Sequence, residues 1–245
     1  MIQCFVPNSY QIATLNFKEL LNSAERSKMA YTISDNDPLC ISSKEQDCQA
    51  VFWRNKDRLY LTFRGTTSKK DIITDLDIRR ICIKEKIKVH TGFFKQFVSV
   101  EKNIKECLDR NKDATELYIC GHSLGGALSY IAAAYFGEMY PDFKIVCHTF
   151  GSPRVGNKAF VDWFNKNVYE HIRVINNKDP VPMIPQNHVW IHCTDSCIQL
   201  NEGQFKVVQK DTPWYKRLFN LVTNINIDDH NLDIYIHKLR ELENE

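Results

Sequence analysis

The stretch that decides the fold lies in the middle of the chain, where residues 117–127 read LYICGHSLGGA. Its first four residues, Leu117 to Cys120, are apolar and have the length of a short buried strand. An alanine-rich run continues from Leu124 to Tyr140, and Pro141 ends it because proline has no backbone N–H with which to continue a helix. The stretch therefore predicts a strand that passes through a sharp turn directly into a helix.

The turn between this strand and this helix carries the pattern G-x-S-x-G, with Gly121, Ser123 and Gly125 in the three fixed positions. In a strand–turn–helix context the pattern is typical of a nucleophile elbow, in which glycines let strand and helix approach and the serine hydroxyl projects above the sheet. The alternative is a serine in an ordinary glycine-rich turn, since the bare pattern often occurs by chance. The context favours Ser123 as a nucleophile at the positive end of a helix.

Strands and helices alternate on both sides of this stretch. A helical pattern occupies the N-terminal segment 1–30, and a hairpin is predicted over 48–63. Further predicted helices lie at 94–108, at 158–168 and near the C-terminus, and further strands at 145–150, 172–175, 189–192 and 198–200. Such alternation is typical of an α/β protein with a mostly parallel central sheet and helices on both faces. Since no linker, repeat or shift in composition interrupts it, residues 1–245 are predicted to form a single domain.

The overall composition excludes several classes of protein. Hydrophobic residues make up 43% of the chain and charged residues 25%, which argues against disorder and coiled coil. Lys and Arg number 32 and Asp and Glu 30, and the resulting formal charge of +2 provides no basic field that indicates a nucleic-acid partner. With a mean hydropathy of −0.38 and no apolar run of about 18 residues, no transmembrane segment is expected.

A serine nucleophile needs a general base and a carboxylate that orients the base. Asp179 follows the predicted strand 172–175, at the strand end where an α/β sheet presents functional side chains. The alternative for this aspartate is a turn residue that satisfies local backbone donors. Its competitors further along the chain are Asp195, Asp211, Asp228 and Asp229.

Four histidines follow Asp179, and their residue type alone does not choose among them: His188, His192, His230 and His237. A loop position before the terminal helix favours His230, whereas His237 lies inside that helix. His192 has Cys193 and Cys197 nearby, which suggests a metal site. Because no fourth ligand with standard spacing accompanies them, no metal is expected.

The oxyanion that forms when a serine attacks an ester needs backbone donors. One is the N–H of Leu124, directly after the nucleophile, and the other must come from a loop after an earlier strand. The sequence FRGTT at 63–67 fits that loop, with the N–H of Thr66 as donor and its hydroxyl as a second hydrogen-bonding group. A capped helix start at Thr66 or Thr67 is compatible with the same assignment.

Six motifs occur in the order seen in class 3 lipases, and the chain resembles that family from about Phe63 to Tyr235. The motifs are FRGT at 63–66, VHTGF at 89–93, GHSLGG at 121–126, FGSPRVGN at 150–157, DPVP at 179–182 and HNLDIY at 230–235. The resemblance implies an α/β-hydrolase fold and a structural role for His122. The catalytic residues that it implies are Ser123 as nucleophile, Asp179 as acid member, His230 as base, and Thr66 and Leu124 as oxyanion hole.

The resemblance also implies an activity. Members of the family hydrolyse fatty-acyl esters of glycerolipids, so we expect a serine carboxylic-ester hydrolase, a lipase for triacylglycerol or related acylglycerols, that works through an acyl-enzyme without metal or organic cofactor. The expected partner is a lipid or ester substrate, with contact to a lipid–water interface as one option. Alternatives are a phospholipase A1 or an esterase for soluble or feruloyl-type esters. An inactive scaffold with a hydrolase fold is a third, which the intact Ser, Asp and His argue against.

In this family a surface segment covers the site, and the resemblance places that lid at residues 71–88. Its second half alternates apolar and charged residues over 81–88, which predicts a strand. Between 79 and 88 there are five basic residues against the single acidic Glu85. An edge of this kind is compatible with docking on anionic lipid. We favour the alternative, a solvated edge strand protected by lysines, with the mobile part of the lid at 71–80.

The expected location is intracellular. Residues 1–11 read MIQCFVPNSYQ and lack the basic and apolar regions of a signal peptide. No Asn-x-Ser/Thr sequon occurs, and the nine cysteines do not show the tight repeats of a disulfide scaffold, so reduced thiols are expected.

Overall fold

The structure, a computed structural model, describes residues 16–66, 79–185, 189–193, 196–202, 204–209 and 226–244. Ten strands lie within these ranges, and eight of them form one sheet. The strands are β1 (Cys40–Ser43), β2 (Cys48–Asn55), β3 (Arg58–Phe63), β4 (Arg80–Lys84), β5 (Ile87–His90), β6 (Glu116–His122), β7 (Lys144–Phe150), β8 (Glu170–Asn176), β9 (Ser196–Asn201) and β10 (Gln204–Gln209).

Five α-helices lie in the same ranges: α1 (Phe17–Met29), α2 (Thr91–Asp109), α3 (Leu124–Met139), α4 (Lys158–Asn167) and α5 (Leu232–Glu243). Four of them begin at a side chain that accepts a hydrogen bond from a backbone N–H of the first turn, namely Asn16, His90, Asn157 and Asn231. The exception is α3, whose capping residue Ser123 makes no such bond. The one serine among the five caps therefore keeps its hydroxyl for another purpose.

The strand order of the large sheet is β1-β2-β3-β6-β7-β8-β9-β10. The four neighbouring pairs from β3 to β9 are parallel, and the outer pairs are antiparallel. Phe63 pairs with Gly121, which in turn pairs with Thr149, so β3, β6 and β7 end at the same level. The segments that leave these strands meet at what we call the carboxyl edge, where α/β sheets carry their functional groups.

Helices cover both faces of this sheet. On one face α2, α3 and α4 enclose a core that includes Ile119 and Phe164. On the other face α1 and α5 pack together over a second core, which includes Leu20, Phe150 and Leu239. The predicted α/β fold, with a mostly parallel central sheet and helices on both faces, is confirmed.

The predicted strand at 189–192 is wrong. In this segment Ile191 makes one isolated bridge to Gly156, and no ladder follows it. The apolar pattern has another cause, because Trp190 and His192 are each buried as individual side chains beside the loops of the site. Strands β1 and β10, which form the two outer edges of the sheet, were not predicted.

The predicted lid at 71–88 lies partly outside the described residues, which do not include 67–78. Residues 1–15 of the predicted N-terminal helical segment lie outside them as well. The predicted strand over 81–88 is confirmed as the hairpin of β4 and β5, which forms a separate two-stranded sheet. Ile81 and Ile83 face the core, whereas Lys84 forms an ion pair with Glu138 at the C-terminal end of α3. Ser123 lies at the opposite end of this 16-residue helix, about 24 Å away. This placement favours the solvated edge over lipid docking beside the site.

Candidate active site

Ser123 occupies a strained turn between β6 and α3. Its backbone has φ 60° and ψ −128°, a conformation that non-glycine residues rarely adopt and that functional sites retain at a cost. The flanking glycines are required by space: an added Cβ on Gly121 would lie 2.3 Å from the carbonyl of Gly125, and one on Gly125 would lie 2.2 Å from the Phe63 oxygen. The turn is held by a hydrogen bond from Ser123 N–H to the Phe150 oxygen at 2.9 Å. This is the geometry expected of a nucleophile elbow.

The two candidate oxyanion donors flank this turn. Leu124 is the first residue of α3, and its N–H is among the first four of the helix, which have no acceptor inside the helix. Thr66 follows β3, and its neighbour Gly65 packs so closely that an added Cβ would lie 2.6 Å from the oxygen of His122. The structure thus brings the loop of Thr66 against the elbow, with both residues half-buried.

Asp179 and His230 are in direct contact, although 50 residues separate them in the sequence. Asp179 Oδ2 lies 2.8 Å from His230 Nδ1, and both side chains are almost completely buried. The carboxylate also accepts a hydrogen bond from Val181 N–H at 2.9 Å and one from the Tyr235 hydroxyl at 2.6 Å. Burial, reinforced by the neighbouring carboxylate, raises the pKa of Tyr235 well above its ordinary value, so this phenol remains a donor. The carboxylate is fixed from three directions.

This contact determines the orientation of the imidazole. A carboxylate accepts, so Nδ1 of His230 carries the proton and the neutral ring leaves Nε2 as a proton acceptor. Within the described residues, neither His230 Nε2 nor Ser123 Oγ has a hydrogen-bond partner, and both atoms are buried. Buried polar atoms without partners are uncommon, and each asks for an explanation. Ser123 Oγ and His230 Nε2 are therefore the candidates for nucleophile and base at this sheet edge.

His122, directly before the nucleophile, links the elbow to the base. Its Nε2 lies 3.1 Å from the His230 carbonyl oxygen and must donate to it, and its ring stacks on the His230 ring with centroids 4.5 Å apart. Its Nδ1 therefore accepts from the Tyr31 hydroxyl at 2.9 Å. Burial raises the pKa of Tyr31, so this hydroxyl stays protonated. The expected structural role of His122 consists of these two hydrogen bonds.

The competing residues lie elsewhere or serve other contacts. His192 Nε2 lies 2.8 Å from the Pro182 oxygen, and His237 is exposed beside Glu241. Asp228 is exposed, and His188, Asp195 and Asp211 are outside the described residues. Cys193 and Cys197 are buried and form no disulfide, and among the described residues no three His, Cys, Asp or Glu side chains form a metal-binding group.

Sequence reasoning assigned no role to four residues that hold this site together, Tyr31, Gly151, Asn176 and Tyr235, and it named Asp229 only as a competitor for the acid member. Gly151 has φ +57°, and a Cβ there would lie 2.8 Å from Asp179 Oδ2 and 3.0 Å from His230 Nδ1. The motifs FGSPRVGN and HNLDIY contain Gly151 and Tyr235, so those positions were noticed without a role. Nothing in the sequence signalled Tyr31, which lies outside every quoted motif.

Comparison with known proteins finds relatives on both the sequence and the structural level. A secreted mono- and diacylglycerol lipase of Fusarium solani is 33% identical over 135 residues, which is 53% of this chain and 40% of that protein. Toxin TseL of Vibrio cholerae is 37% identical over 123 residues, which is 49% of this chain and 18% of the toxin. The match thus spans less than half the length of either relative.

The solved structure of the triacylglyceride lipase of Rhizomucor miehei superimposes with a TM-score of 0.72 at 23% identity, covering 91% of this chain and 94% of that one. At this identity the likeness concerns the fold, and it confirms the expected α/β-hydrolase architecture. None of the helices in the described ranges combines the length and hydropathy that a bilayer crossing requires.

The expectation of an intracellular protein is contradicted. The Fusarium relative is named as a secreted lipase, which points to the extracellular side. The expectation rested on the residue pattern of 1–11, on the lack of a sequon and on the spacing of the cysteines, which are indirect indicators of export.

The family itself is shown by a sequence model. The model of the class 3 lipases matches residues 60–189, which include β3, the elbow at Ser123 and the acid loop at Asp179. His230 and Tyr235 lie beyond the matched range, and there the structure supplies the contact that completes the arrangement. The chain belongs to the class 3 lipase family.

Proposed function

We propose that this chain is a serine carboxylic-ester hydrolase that cleaves fatty-acyl esters of acylglycerols. The observation that carries the proposal is the contact of Asp179 Oδ2 with His230 Nδ1 at 2.8 Å, which leaves His230 Nε2 available as a base at the sheet edge where Ser123 occupies its strained elbow. The two atoms that would exchange a proton, Ser123 Oγ and His230 Nε2, are buried and have no other partner among the described residues.

In the proposed reaction Ser123 Oγ attacks the ester carbonyl carbon while His230 Nε2 takes the hydroxyl proton. The tetrahedral intermediate collapses, and the same proton passes to the departing glyceride oxygen, so an acyl-enzyme and an alcohol result. Water then attacks the acyl-enzyme with His230 again as base, and the free fatty acid leaves. Asp179 stays ionised throughout and stabilises the imidazolium that forms twice in the cycle.

The negative charge on the carbonyl oxygen is stabilised by the N–H groups of Leu124 and Thr66. Support for Leu124 comes from its position at the N-terminus of α3, where the helix dipole adds to the hydrogen bond. Support for Thr66 comes from the close packing of Gly65 against the elbow. Removing one such donor costs about 10²–10³-fold in rate in a well-studied serine hydrolase.

The acylglycerol class rests on the names of the relatives. The Fusarium protein is named for mono- and diacylglycerol, and the Rhizomucor structure for triacylglyceride. The proposed substrate is therefore an acylglycerol. A phospholipid, a dissolved ester or no substrate at all would be the outcome under the alternative functions.

The test is release of fatty acid from emulsified dioleoylglycerol and trioleoylglycerol by the purified protein and two variants. Ser123→Ala is expected to lose at least 10³-fold, as removal of a triad member does in serine hydrolases. Ser23→Ala is the matched control, since Ser23 is an equally buried serine that contacts a histidine elsewhere. We expect it to retain activity within about twofold.

Three results would overturn parts of the proposal. Activity that survives in Ser123→Ala would remove the serine mechanism. Hydrolysis of phospholipid or dissolved esters, but not of acylglycerol, would replace the substrate class. A folded protein that neither hydrolyses any of these esters nor reacts with a fluorophosphonate would leave the inactive scaffold as the explanation.

A further inference from the structure

The base and the acid of the candidate site reach each other from distant parts of the chain. Asp179 follows β8, whereas His230 ends a short 3₁₀ helix, Ile227–His230, that leads into α5. Besides the hydrogen bond between the two side chains, Tyr235 of α5 links these segments, since its hydroxyl accepts from Asn176 N–H at 3.0 Å and donates to Asp179 Oδ2 at 2.6 Å. A further set of contacts fastens the segment directly before His230 to the segment directly before Asp179.

Asp229, the residue directly before His230, makes these fastening contacts. Its Oδ2 accepts a hydrogen bond from the backbone N–H of Lys178 at 3.1 Å and another from the side-chain amide of Asn177 at 3.1 Å. Its backbone oxygen accepts from the side-chain amide of Asn176 at 2.8 Å. Asp229 is 8% exposed, so the carboxylate lies out of water, where hydrogen bonds to a charged group are strongest.

These three partners are the residues 176–178, which directly precede Asp179. The link is reinforced on both sides. The Asn226 N–H donates to the Lys178 oxygen at 3.3 Å, and Lys238 of α5 donates to the side-chain oxygen of Asn176 at 2.8 Å. The backbone of the acid loop and the backbone of the base loop therefore form one hydrogen-bonded unit with Asp229 at its centre.

We propose that Asp229 is a positioning residue for the catalytic pair: its carboxylate fastens the segment that carries His230 to residues 177–178, and so sets the contact between His230 and Asp179. The inference rests on the proposed function, since it assigns a role within that reaction. Asp229 itself contacts neither the substrate nor the reacting atoms, and it acts only through the loops that carry Asp179 and His230.

The substitution Asp229→Asn tests the role with little change in size. One carboxylate oxygen becomes an amide nitrogen, and the charge that strengthens both hydrogen bonds is lost, so the donors of Asn177 and Lys178 share one neutral acceptor. Asp228→Asn is the matched control, because it removes the same charge from the adjacent position, which is exposed. Asn177→Gly removes one donor at a position with φ +36°, which glycine adopts without strain.

The expected results are kinetic. With a soluble p-nitrophenyl ester, Asp229→Asn should lower kcat about tenfold or more and leave KM within about threefold, because positioning acts on the transition state. Asn177→Gly should lower kcat by a smaller factor, about threefold, and Asp228→Asn should change it less than twofold. If kcat of Asp229→Asn stays within twofold of the parent, or if only KM changes, the inference is overturned.

A double-mutant cycle separates positioning from a general structural role. In a background that carries Asp179→Asn, the contact that Asp229 is proposed to set no longer works, so adding Asp229→Asn should cost less than twofold. An equal loss in both backgrounds would show that Asp229 acts independently of the pair, and would overturn the inference. Should Asp229→Asn fail to fold, the same cycle is run with Asn177→Gly, and the same two outcomes decide.

Failure of the proposed function would look different. A parent protein that is folded but inactive towards every ester, and unreactive towards a fluorophosphonate, removes the proposed reaction. In that case amide hydrogen exchange still tests the fastening contact, since the Lys178 amide donates to Asp229. Exchange at Lys178 should accelerate in Asp229→Asn and not in Asp228→Asn, and equal exchange in the two variants would show that the contact is not made.

Discussion

Two sets of a serine, a histidine and a carboxylate within the described residues can be compared, and only one of them has the arrangement that the proposed reaction requires. The edge set lies at the carboxyl edge of the sheet and consists of Ser123, His230 and Asp179. The interface set lies between α1 and the sheet and consists of Ser23, His148 and Glu170. Both sets contain a serine hydroxyl, a carboxylate and a buried histidine. The differences in how these groups are arranged therefore show what a nucleophile needs besides the groups themselves.

The histidines face their partners in opposite ways. In the edge set Asp179 Oδ2 lies 2.8 Å from Nδ1 of His230, so Nε2 remains available to the serine. In the interface set the serine hydroxyl takes Nδ1 of His148 at 2.9 Å, and Glu170 lies 3.8 Å from Nε2, beyond hydrogen-bond distance. Glu170 is also partly exposed, so its hold on the imidazole is weak.

The backbone around each serine differs as well. Ser23 lies within the regular helix α1, whereas Ser123 lies at φ 60° directly before the N-terminus of α3. At such a position the first N–H groups of the helix point to the place where an oxyanion forms. The comparison teaches that reactivity comes from the turn and from the choice of histidine nitrogen, and that the inventory of side chains does not decide it.

Replacing the two carboxylates by amides gives the largest expected difference between the sets. Asp179→Asn offers an amide that favours the wrong tautomer of His230, and we expect a loss of about 10³–10⁴-fold in kcat. Glu170→Gln should leave kcat within about twofold, because His148 takes no part in the reaction. Hydrolysis of a p-nitrophenyl ester, measured for both variants at equal protein concentration, checks the prediction.

Thermal unfolding of both amide variants serves as the control for folding. The asymmetry between the sets would be refuted by an Asp179→Asn protein with more than a tenth of the parent kcat. A Glu170→Gln protein that loses as much kcat as Asp179→Asn would refute it equally, since it would give the interface set a part in catalysis.

Gly151 leaves no space for a side chain beside the edge set. A Cβ on Gly151 would contact Asp179 Oδ2 at 2.8 Å in a backbone conformation, φ +57°, that alanine adopts only with strain. Gly151→Ala should push the carboxylate away from His230 and lower kcat about 10²-fold, the effect of a misplacement of about 1 Å. Steady-state kinetics and the unfolding midpoint measure the two consequences, with a stability loss of about 1–3 kcal/mol.

Gly92→Ala is the control for an added methyl group. Its nearest contact would be 3.2 Å to the ring of His90, and it lies in the first turn of α2, where alanine is a better helix former than glycine. We expect kcat within about twofold of the parent. Equal kinetics for Gly151→Ala and the parent would mean that the edge set tolerates displacement of Asp179.

The sequence predicted the elbow and the central strands well because both depend on local pattern. Gly121 is required by its contact with Gly125, four residues away, and the apolar run 117–120 is long enough to specify a buried strand. Gly125 is required by Phe63 of β3, but the G-x-S-x-G pattern marks its position locally. The bounds of α3 follow equally from local signals, the motif at its start and Pro141 after its end.

The supports of the edge set could not be predicted in the same way, since they join residues distant in sequence. Tyr31 reaches His122 across 91 positions, and Tyr235 reaches Asp179 across 56. Tyr31 lies in the turn after α1 and Tyr235 in α5, and neither position shows what the hydroxyl will contact. The prediction for 189–192 failed because the buried Trp190 and His192 alternate with half-buried neighbours, which imitates the pattern of a strand.

His171 is a histidine with buried ring nitrogens and, in the described part of the chain, no carboxylate partner, and the pH dependence of stability extends the comparison to it. His171 packs against the rings of Tyr130 and Phe164, and its ring nitrogens have no hydrogen-bond partner among the described residues. Burial, with smaller contributions from Arg173 and His148, lowers the pKa of His171 well below the ordinary 6.5. The folded protein therefore keeps this ring neutral at a pH where the unfolded chain protonates it.

The sign of the effect follows from linkage. Below pH 6.5 the unfolded state binds a proton at this position that the folded state does not, so the free energy of unfolding falls as the pH falls. One such proton corresponds to about 1.4 kcal/mol per pH unit. Urea unfolding of the parent and of His171→Phe, measured at about pH 7.5 and pH 5.5, should differ by roughly this slope, with the parent the more acid-sensitive.

His237→Gln is the matched control, because His237 is exposed and its removal should leave the slope unchanged. If the parent and His171→Phe lose stability equally between the two pH values, the ring of His171 takes up a proton in the folded state as readily as in the unfolded one. Burial alone would then not keep a histidine neutral in this fold.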